Sequence, residues 1–380
     1  MTRRIRLFVA FVLICPLVAA AVWGTPKVLR RMEMQGLRPV TVASGLDNPW
    51  ALAFLPDGRM LVTERVGRMR LVARDGTLSE PLRGLPPVFA QGEGGLMDLV
   101  LDPQFAQNSK LYWSYSEPAP AGQSASSTAV ASGRLSGTAI EDVSVIFRQV
   151  VKVADSSHYG SRLHFAPDGR LFVSLGDRSR RGDVQDLTSP HGKILRMESD
   201  GRAPPDNPYA QTAGALQQIW TLGHRNVQGM AINPVTGALW VSEHGPQGGD
   251  ELNLIERGRN YGWPVITFGC EYSSCAKIGE GTVKDGMEQP VAHWSPQAIA
   301  PTGMVFLTSD RYPGWKGDLF MGMLQGRAVL RLKLDGQKIV EQERLLTGLT
   351  ERVRDVRQGP DGWLYILVGR DQGKILRIER

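Results

Sequence analysis

The 380-residue chain has almost no stretch that reads as helix, only three cysteines, and no acidic residue before Glu33. Each scarcity narrows the possibilities. Few segments show the 3.6-residue apolar period, which argues against helical architectures and for strands. Cys15 falls inside an apolar N-terminal run, so Cys270 and Cys275 are left as the pair in the body of the chain. Two cysteines that close together in an exported chain suggest one local disulfide closing a loop, with two unpaired thiols as the alternative. A zinc site is disfavoured because no second Cys or His pair lies nearby.

The missing early acids explain the formal charge of +6. Arg3, Arg4, Arg6, Lys27, Arg30 and Arg31 are basic; setting those six aside leaves 38 basic against 38 acidic residues. The body is therefore neutral, and nothing in it asks for nucleic acid as a partner. The basic start precedes an almost wholly apolar run from Leu7 to Trp23, with Ala19, Ala20 and Ala21 as small residues for a peptidase. At about 17 residues, interrupted by Pro16, the run is at the lower edge for a membrane span. Residues 1–24 thus read as a signal peptide or an N-terminal membrane anchor, 25–37 as a linker, and 38–380 as one domain exported to the periplasm.

What is present in that domain is repetition. LAFLPDGRMLVTE (52–64) recurs as LHFAPDGRLFVSLGD (163–177), AINPVTGALWVSEHG (231–245) and RQGPDGWLYILVG (357–369). Weaker copies occupy 99–117 and 306–324. Each is a short strand, a turn rich in Pro, Asp, Asn or Gly, and a second apolar strand. Six such hairpins, with turns near 57, 104, 168, 235, 315 and 361, point to an all-β fold, a six-bladed β-propeller, with a pair of β-sandwiches as the alternative. RPVTVASG (38–45) is placed to complete the ring beside the last strand, GKILRI (373–378).

Propeller loops converge at one end of the channel, so residues distant in sequence can share a site. Polar groups collect after several turns: Glu93, His158, Arg162, Asp177, Arg225 and Asn226, Gly245 to Glu251, Arg352 and Arg354. His158 precedes a hairpin that Asp177 ends, and an antiparallel pair can bring the two together. The aspartate would then fix the imidazole tautomer and raise the basicity of the other nitrogen; a surface histidine beside a turn aspartate is the plainer alternative. GPQGGDE offers carbonyls and two adjacent carboxylates, a donor set suited to a hard cation such as Ca²⁺ or simply an acidic turn. Arg225, Arg352 and Arg354 are suited to a multiply anionic ligand, or to structural ion pairs.

Together these residues resemble the soluble pyrroloquinoline quinone (PQQ) sugar dehydrogenases, in particular the periplasmic aldose sugar dehydrogenases of bacteria. The likeness runs from about Gly45 to Arg380 through NPWALAFLPDG, GGLMDLVLDPQF, HxGSRL, GDR, QDLTSPHGKILR, LGHRNVQG, SEHGPQGGDELN, NYGWP, APTGM and RVRDV. The resemblance implies a six-bladed propeller holding PQQ and Ca²⁺ at the channel mouth. It also implies oxidation of an aldose at C1 to the lactone, with an external electron acceptor. It casts His158 as general base, Asp177 as its orienter, and Arg225 with Asn226 as cofactor contacts that stabilise developing charge. Arg162, Glu93 and Gln325 fall at cofactor-side positions, and Arg352 with Arg354 pair with the cofactor's carboxylates. Gly245 and Pro246 would hold calcium through their carbonyls; Glu251 and the backbone oxygen of Tyr261 match calcium positions of the aldose subgroup.

Two positions depart from the pattern. Glu93 stands where glutamine is common, adding a carboxylate beside a tricarboxylate cofactor. Gln325 stands where lysine is common, removing a cation. These departures favour one alternative, a propeller binding protein that has lost its cofactor; the other, a calcium-dependent hydrolase of lactones or phosphate esters, would need no arginine set, and Arg225 with Arg352 and Arg354 speaks against it.

Overall fold

A computed structural model of the protein describes residues 36–380; the signal or anchor segment and most of the linker lie outside the described residues. No helix among them is long and apolar enough to cross a membrane. Six antiparallel sheets form the ring. The innermost strands are Pro49–Phe54, Leu96–Leu101, Gly160–Phe165, Val227–Ile232, Pro301–Phe306 and Val353–Gln358. Each packs against the next, and the last returns to the first.

Each innermost strand turns into a second strand: Met60–Glu64, Lys110–Pro118, Leu171–Leu175, Leu239–Glu243, Leu319–Met323 or Leu364–Val368. These are the six hairpins expected from the repeats. Five of the six second strands are buried at every position. They are mainly apolar because neighbouring blades cover both faces, with polar residues such as Thr63, Ser174 and Glu243 buried toward the strand ends. Six apolar clusters fill the seams between neighbouring blades. Trp50, Leu61 and Trp113 join blades one and two, for example, and Trp240, Phe306 and Met321 join blades four and five.

Ring closure follows the expected route. Arg38–Leu46 pairs antiparallel with Gly373–Glu379 as the outermost strand of the sixth blade, with Thr41 opposite Leu376. The start of the domain is thus held by its end, and Leu46 beside Leu52, Val62 and Ile375 seals the seam to blade one.

Candidate functional site

Strand direction decides where a site can form. The residue before an innermost strand and the residue after its hairpin partner lie at the same end of the blade. Around the ring, these positions and the one or two residues beyond them supply Asn48 and Arg65, Glu93, Tyr159 and Asp177, Asn226 and His244, Ala300 and Leu324, and Arg352 and Arg370. All but Asp177 line one cavity of about 370 Å³ at the channel mouth. Trp50, Met97, Gln228 and Arg354 form its deeper wall.

Beneath the cavity the channel is plugged by charge. Arg162 Nε donates to the Gln228 carbonyl at 2.6 Å, and its Nη1 reaches Asp355 at 3.1 Å and Asp98 at 3.4 Å. Arg357 bridges the same two carboxylates at 2.8 Å each. The expectation that Arg162 meets a cofactor therefore gives way to a different placement. Its side chain points into the channel from the inner strand, is buried, and has its donors turned to protein acceptors. Gln325 is also outside the wall: it is exposed at the rim, and its neighbour Leu324 lines the cavity instead.

His158 and Asp177 do come together, with Nδ1 and Oδ1 2.7 Å apart. Asp177 is almost fully buried at 1% exposure and also accepts from the Ser179 N–H at 2.9 Å and the Trp263 indole N–H at 2.8 Å. Burial alone would raise its pKa. The hydrogen bond and charge of His158, the charge of Arg225 and the Ser179 N–H outweigh burial and hold it below the ordinary carboxylate range. An ionised Asp177 makes Nδ1 the donor and leaves the Nε2 lone pair free. Nε2 has no hydrogen-bond partner among the described residues.

The loop pays a conformational cost to present this imidazole. His158 has φ +53°, a left-handed conformation that costs a non-glycine residue of order 1–3 kcal/mol. Its backbone N–H is held by Glu93 Oε2 at 2.7 Å, so the departing carboxylate is a brace for the histidine loop as well as part of the cavity wall. Gly176 is required on the other side, because a Cβ there would sit 1.9 Å from the His158 carbonyl oxygen.

Arg225 is buried, donating to the His244 carbonyl at 3.2 Å and the Tyr272 hydroxyl at 3.3 Å. Its Nε is buried with no partner, a donor awaiting an acceptor. Asn226 lies in the wall, with Oδ1 accepting from the Gly160 N–H at 3.1 Å. Tyr272 sits in the loop closed by the Cys270–Cys275 disulfide, which settles the two-cysteine expectation. Paired Cys270–Gln247 backbone bonds tie that loop to the Gly245–Gly249 segment, and Arg181 forks onto Glu271 from blade three.

The segment read as a cation loop divides in two. Asp250 and Glu251 are adjacent on a strand and so point to opposite faces. Asp250 is consumed by backbone donors: Gly245 N–H at 2.9 Å, and Ile299 and Ala300 N–H at 2.7 Å each. No N–H among the described residues donates to the carbonyls of Gly245 or Pro246, which remain available as ligands. Glu251 faces Glu243 across the hairpin, and Asn253 Nδ2 donates to both, at 3.2 and 3.1 Å. Burial, then the charge of Glu243, pushes Glu251 up to about 8. Asn253 Oδ1 is buried and unpartnered beside these carboxylates. A buried and a half-buried carboxylate with an orphaned amide oxygen make an oxygen-only donor set that could hold a hard cation such as Ca²⁺. Tyr261 joins this cluster through His224, its ring stacked at 4.8 Å on an imidazole that contacts Glu243 at 3.0 Å. Among the described residues no group of three or more His, Cys, Asp or Glu converges as a ready-made metal cage.

Several site residues escaped the sequence reading: Arg65, Arg370, Gln228, His244, Trp263 and Asn253. Arg65 and Arg370 are each the first residue after a quoted repeat, and His244 follows Glu243 directly. The repeat register itself was the missed signal for these three.

With this geometry in view, the comparisons are informative. The profile of the family described as Glucose / Sorbosone dehydrogenase matches residues 46–377. The Escherichia coli aldose sugar dehydrogenase YliI is 43% identical over 371 residues, covering 96% of each chain. A crystal structure of the soluble E. coli aldose sugar dehydrogenase in its apo form superimposes with TM-score 0.87, covering 90% of this chain and 99% of that one. The PQQ-bound aldose sugar dehydrogenase of Streptomyces coelicolor is 30% identical with TM-score 0.74, covering 90% and 97%.

Proposed function

The chain belongs to the glucose/sorbosone dehydrogenase family, and from that premise we propose that it oxidises aldose sugars at C1 to the lactone, with PQQ and Ca²⁺ as cofactors and an external electron acceptor. The observation that carries the reading is the His158–Asp177 pair beside an arginine-lined cavity, joined to its wall through Glu93 and Tyr159. A binding module or a calcium hydrolase has no need of both.

His158 Nε2 takes the proton of the anomeric hydroxyl, and Asp177 holds the resulting imidazolium in place without itself accepting the proton. When bound, PQQ supplies the acceptor for the hydride leaving C1, so the sugar loses one proton and one hydride in all. Asn226, in the cavity wall, and Arg225 beside it in sequence, with its buried unpartnered Nε, would offer donors to charge developing on the acceptor, where preorganised donors are worth most. Arg352 and Arg354, both in the cavity wall, would pair with the cofactor's carboxylates. Gly245 and Pro246 offer carbonyls to a cofactor-side calcium, and Glu251 with the neighbouring Asn253 offers oxygens to a structural one. Export to the periplasm, by cleavage or anchoring of the N-terminal segment, places the enzyme where sugars and external acceptors meet.

The test is dye reduction by the protein loaded with PQQ and Ca²⁺ in the presence of glucose and other aldoses. Absence of sugar-dependent reduction together with absence of PQQ binding refutes the reading. His158→Ala is expected to abolish turnover with the fold intact, and substantial residual turnover refutes the base assignment.

A further inference from the structure

The cavity carries more positive charge than the proposed cofactor contacts account for. Arg65, Arg352, Arg354 and Arg370 all line it, against the single carboxylate of Glu93, leaving an excess of three positive charges. Among the described residues none of the four is in a salt bridge, although most arginines elsewhere in the fold are paired. The same four residues also line a side lobe of about 30 Å³ with Asn48, Pro49, Trp50, Leu324 and Gly369, between the first and sixth blades. A lobe of that size admits a group of one or two water volumes, the scale of a carboxylate.

The backbone around the lobe is fixed. Asn48 donates its N–H to the Arg370 carbonyl at 2.8 Å and accepts from the Arg65 N–H at 3.0 Å; Gly369 N–H reaches the Arg352 carbonyl at 3.2 Å. The guanidiniums are far less engaged. Arg65 donates to the Gly92 carbonyl at 2.6 Å and Arg354 to Gln228 at 3.1 Å, while Arg352 and Arg370 make no side-chain hydrogen bond among the described residues. Burial, then the charges of its neighbours Arg162, Arg352 and Arg65, pushes Arg354 down to about 9. Four like charges crowded on a rigid frame against one carboxylate are the mark of a preorganised anion site.

We propose that this lobe is a carboxylate subsite in which Arg65 and Arg370, on the blades across the channel from His158, seat an acidic group of the quinone cofactor together with Arg352 and Arg354. The inference rests on the proposed PQQ dependence and adds two residues to it. It also accounts for the departures at Glu93 and Gln325, since the extra cations offset one added carboxylate and one lost lysine.

The test is a PQQ titration of the full chain in Ca²⁺ without sugar, followed by tryptophan fluorescence. Arg370→Ala is the clean variant because its side chain has no protein partner. Charge-assisted hydrogen bonds of this kind make a loss of about tenfold or more in affinity the expected result for Arg370→Ala and Arg65→Ala, with Arg65→Lys in between. The trimethyl ester of PQQ, which has no carboxylate charge, is expected to bind wild type and variants alike. Arg370→Ala and Arg65→Ala binding PQQ as wild type does, or an equal loss for the ester, overturns the subsite and leaves the functional reading standing. Failure of the wild type itself to bind PQQ overturns both.

Discussion

Replacing Asp177 by asparagine tests the central pair more sharply than deleting it. The carboxylate accepts three hydrogen bonds, from His158 Nδ1, Ser179 N–H and Trp263 Nε1–H, inside a site that is 1% exposed. An amide has one oxygen and one NH₂ group. If its oxygen keeps His158 and Ser179, its NH₂ meets the Trp263 indole N–H, and two buried donors face each other at a cost of about 1–3 kcal/mol. If it flips, the NH₂ donates to Nδ1 and drives the proton to Nε2, where the base should be. Either way the imidazolium loses its counter-charge. Turnover at saturating sugar is therefore expected to fall roughly 10²- to 10⁴-fold, with PQQ affinity within a few-fold of wild type. The pH dependence carries a second sign. A carboxylate depressed in the folded state stabilises it fully above its unfolded value near 4 and loses that contribution as pH falls through the lower folded value. The stability gap between wild type and Asp177→Asn, followed by urea unfolding, should thus be widest at neutral pH and close below about pH 4. Retention of more than about a tenth of wild-type turnover in a folded variant, or a gap indifferent to pH, refutes the arrangement.

Glu93→Gln keeps an acceptor for the His158 N–H while removing one negative charge from the cavity, so PQQ should bind roughly tenfold more tightly, with turnover little changed, in a fluorescence titration. Looser PQQ binding would show that the carboxylate is needed for itself. Calcium should raise the thermal midpoint by an amount that grows with its concentration, equivalent to about 2.7 kcal/mol at a hundred times Kd. Glu251→Gln is expected to remove a large part of that response and to tolerate chelator better than wild type, because the buried repulsion with Glu243 is relieved. An undiminished calcium response in this variant discards Glu251 as a ligand. Cys270→Ser with Cys275→Ser opens a loop so short that chain entropy accounts for only about 2 kcal/mol. The larger effect is expected in the KM for sugar, since Tyr272 and the Gln247 tie to the cation loop lose their anchor; an unchanged KM argues against that role.

The ring was legible because its signal is local and repeated. A turn rich in Pro, Asp, Asn or Gly between two apolar strands is written into each blade, as Pro-Asp-Gly in three of them, and even the closure of Arg38–Leu46 onto Gly373–Glu379 follows from having one strand left at each end. The His158–Asp177 pair was legible for a related reason, since the two residues bracket one hairpin whose register brings them to the same end. Contacts between blades were not. Nothing near Asp250 says that its carboxylate is spent on the backbone of residues 299 and 300, nor does anything near Arg162 say that Asp355, 193 positions away, will claim it. Burial across a seam depends on which blades are neighbours, and a single strand cannot report it. The arginines are the instructive middle case. Arg65 and Arg370 end strands and look like surface charge when each is taken alone. Once the repeat is aligned, Arg65 falls with His244 one step past the second strand and Arg370 with Asp177 two steps past it, where the chain must turn over the channel mouth. Register against the repeat narrows the candidates to the one or two residues past each second strand, and packing between blades decides which of them face the cavity. Gln325 lies two steps past its strand as Arg370 does, yet it is exposed, and Leu324 lines the cavity in its blade.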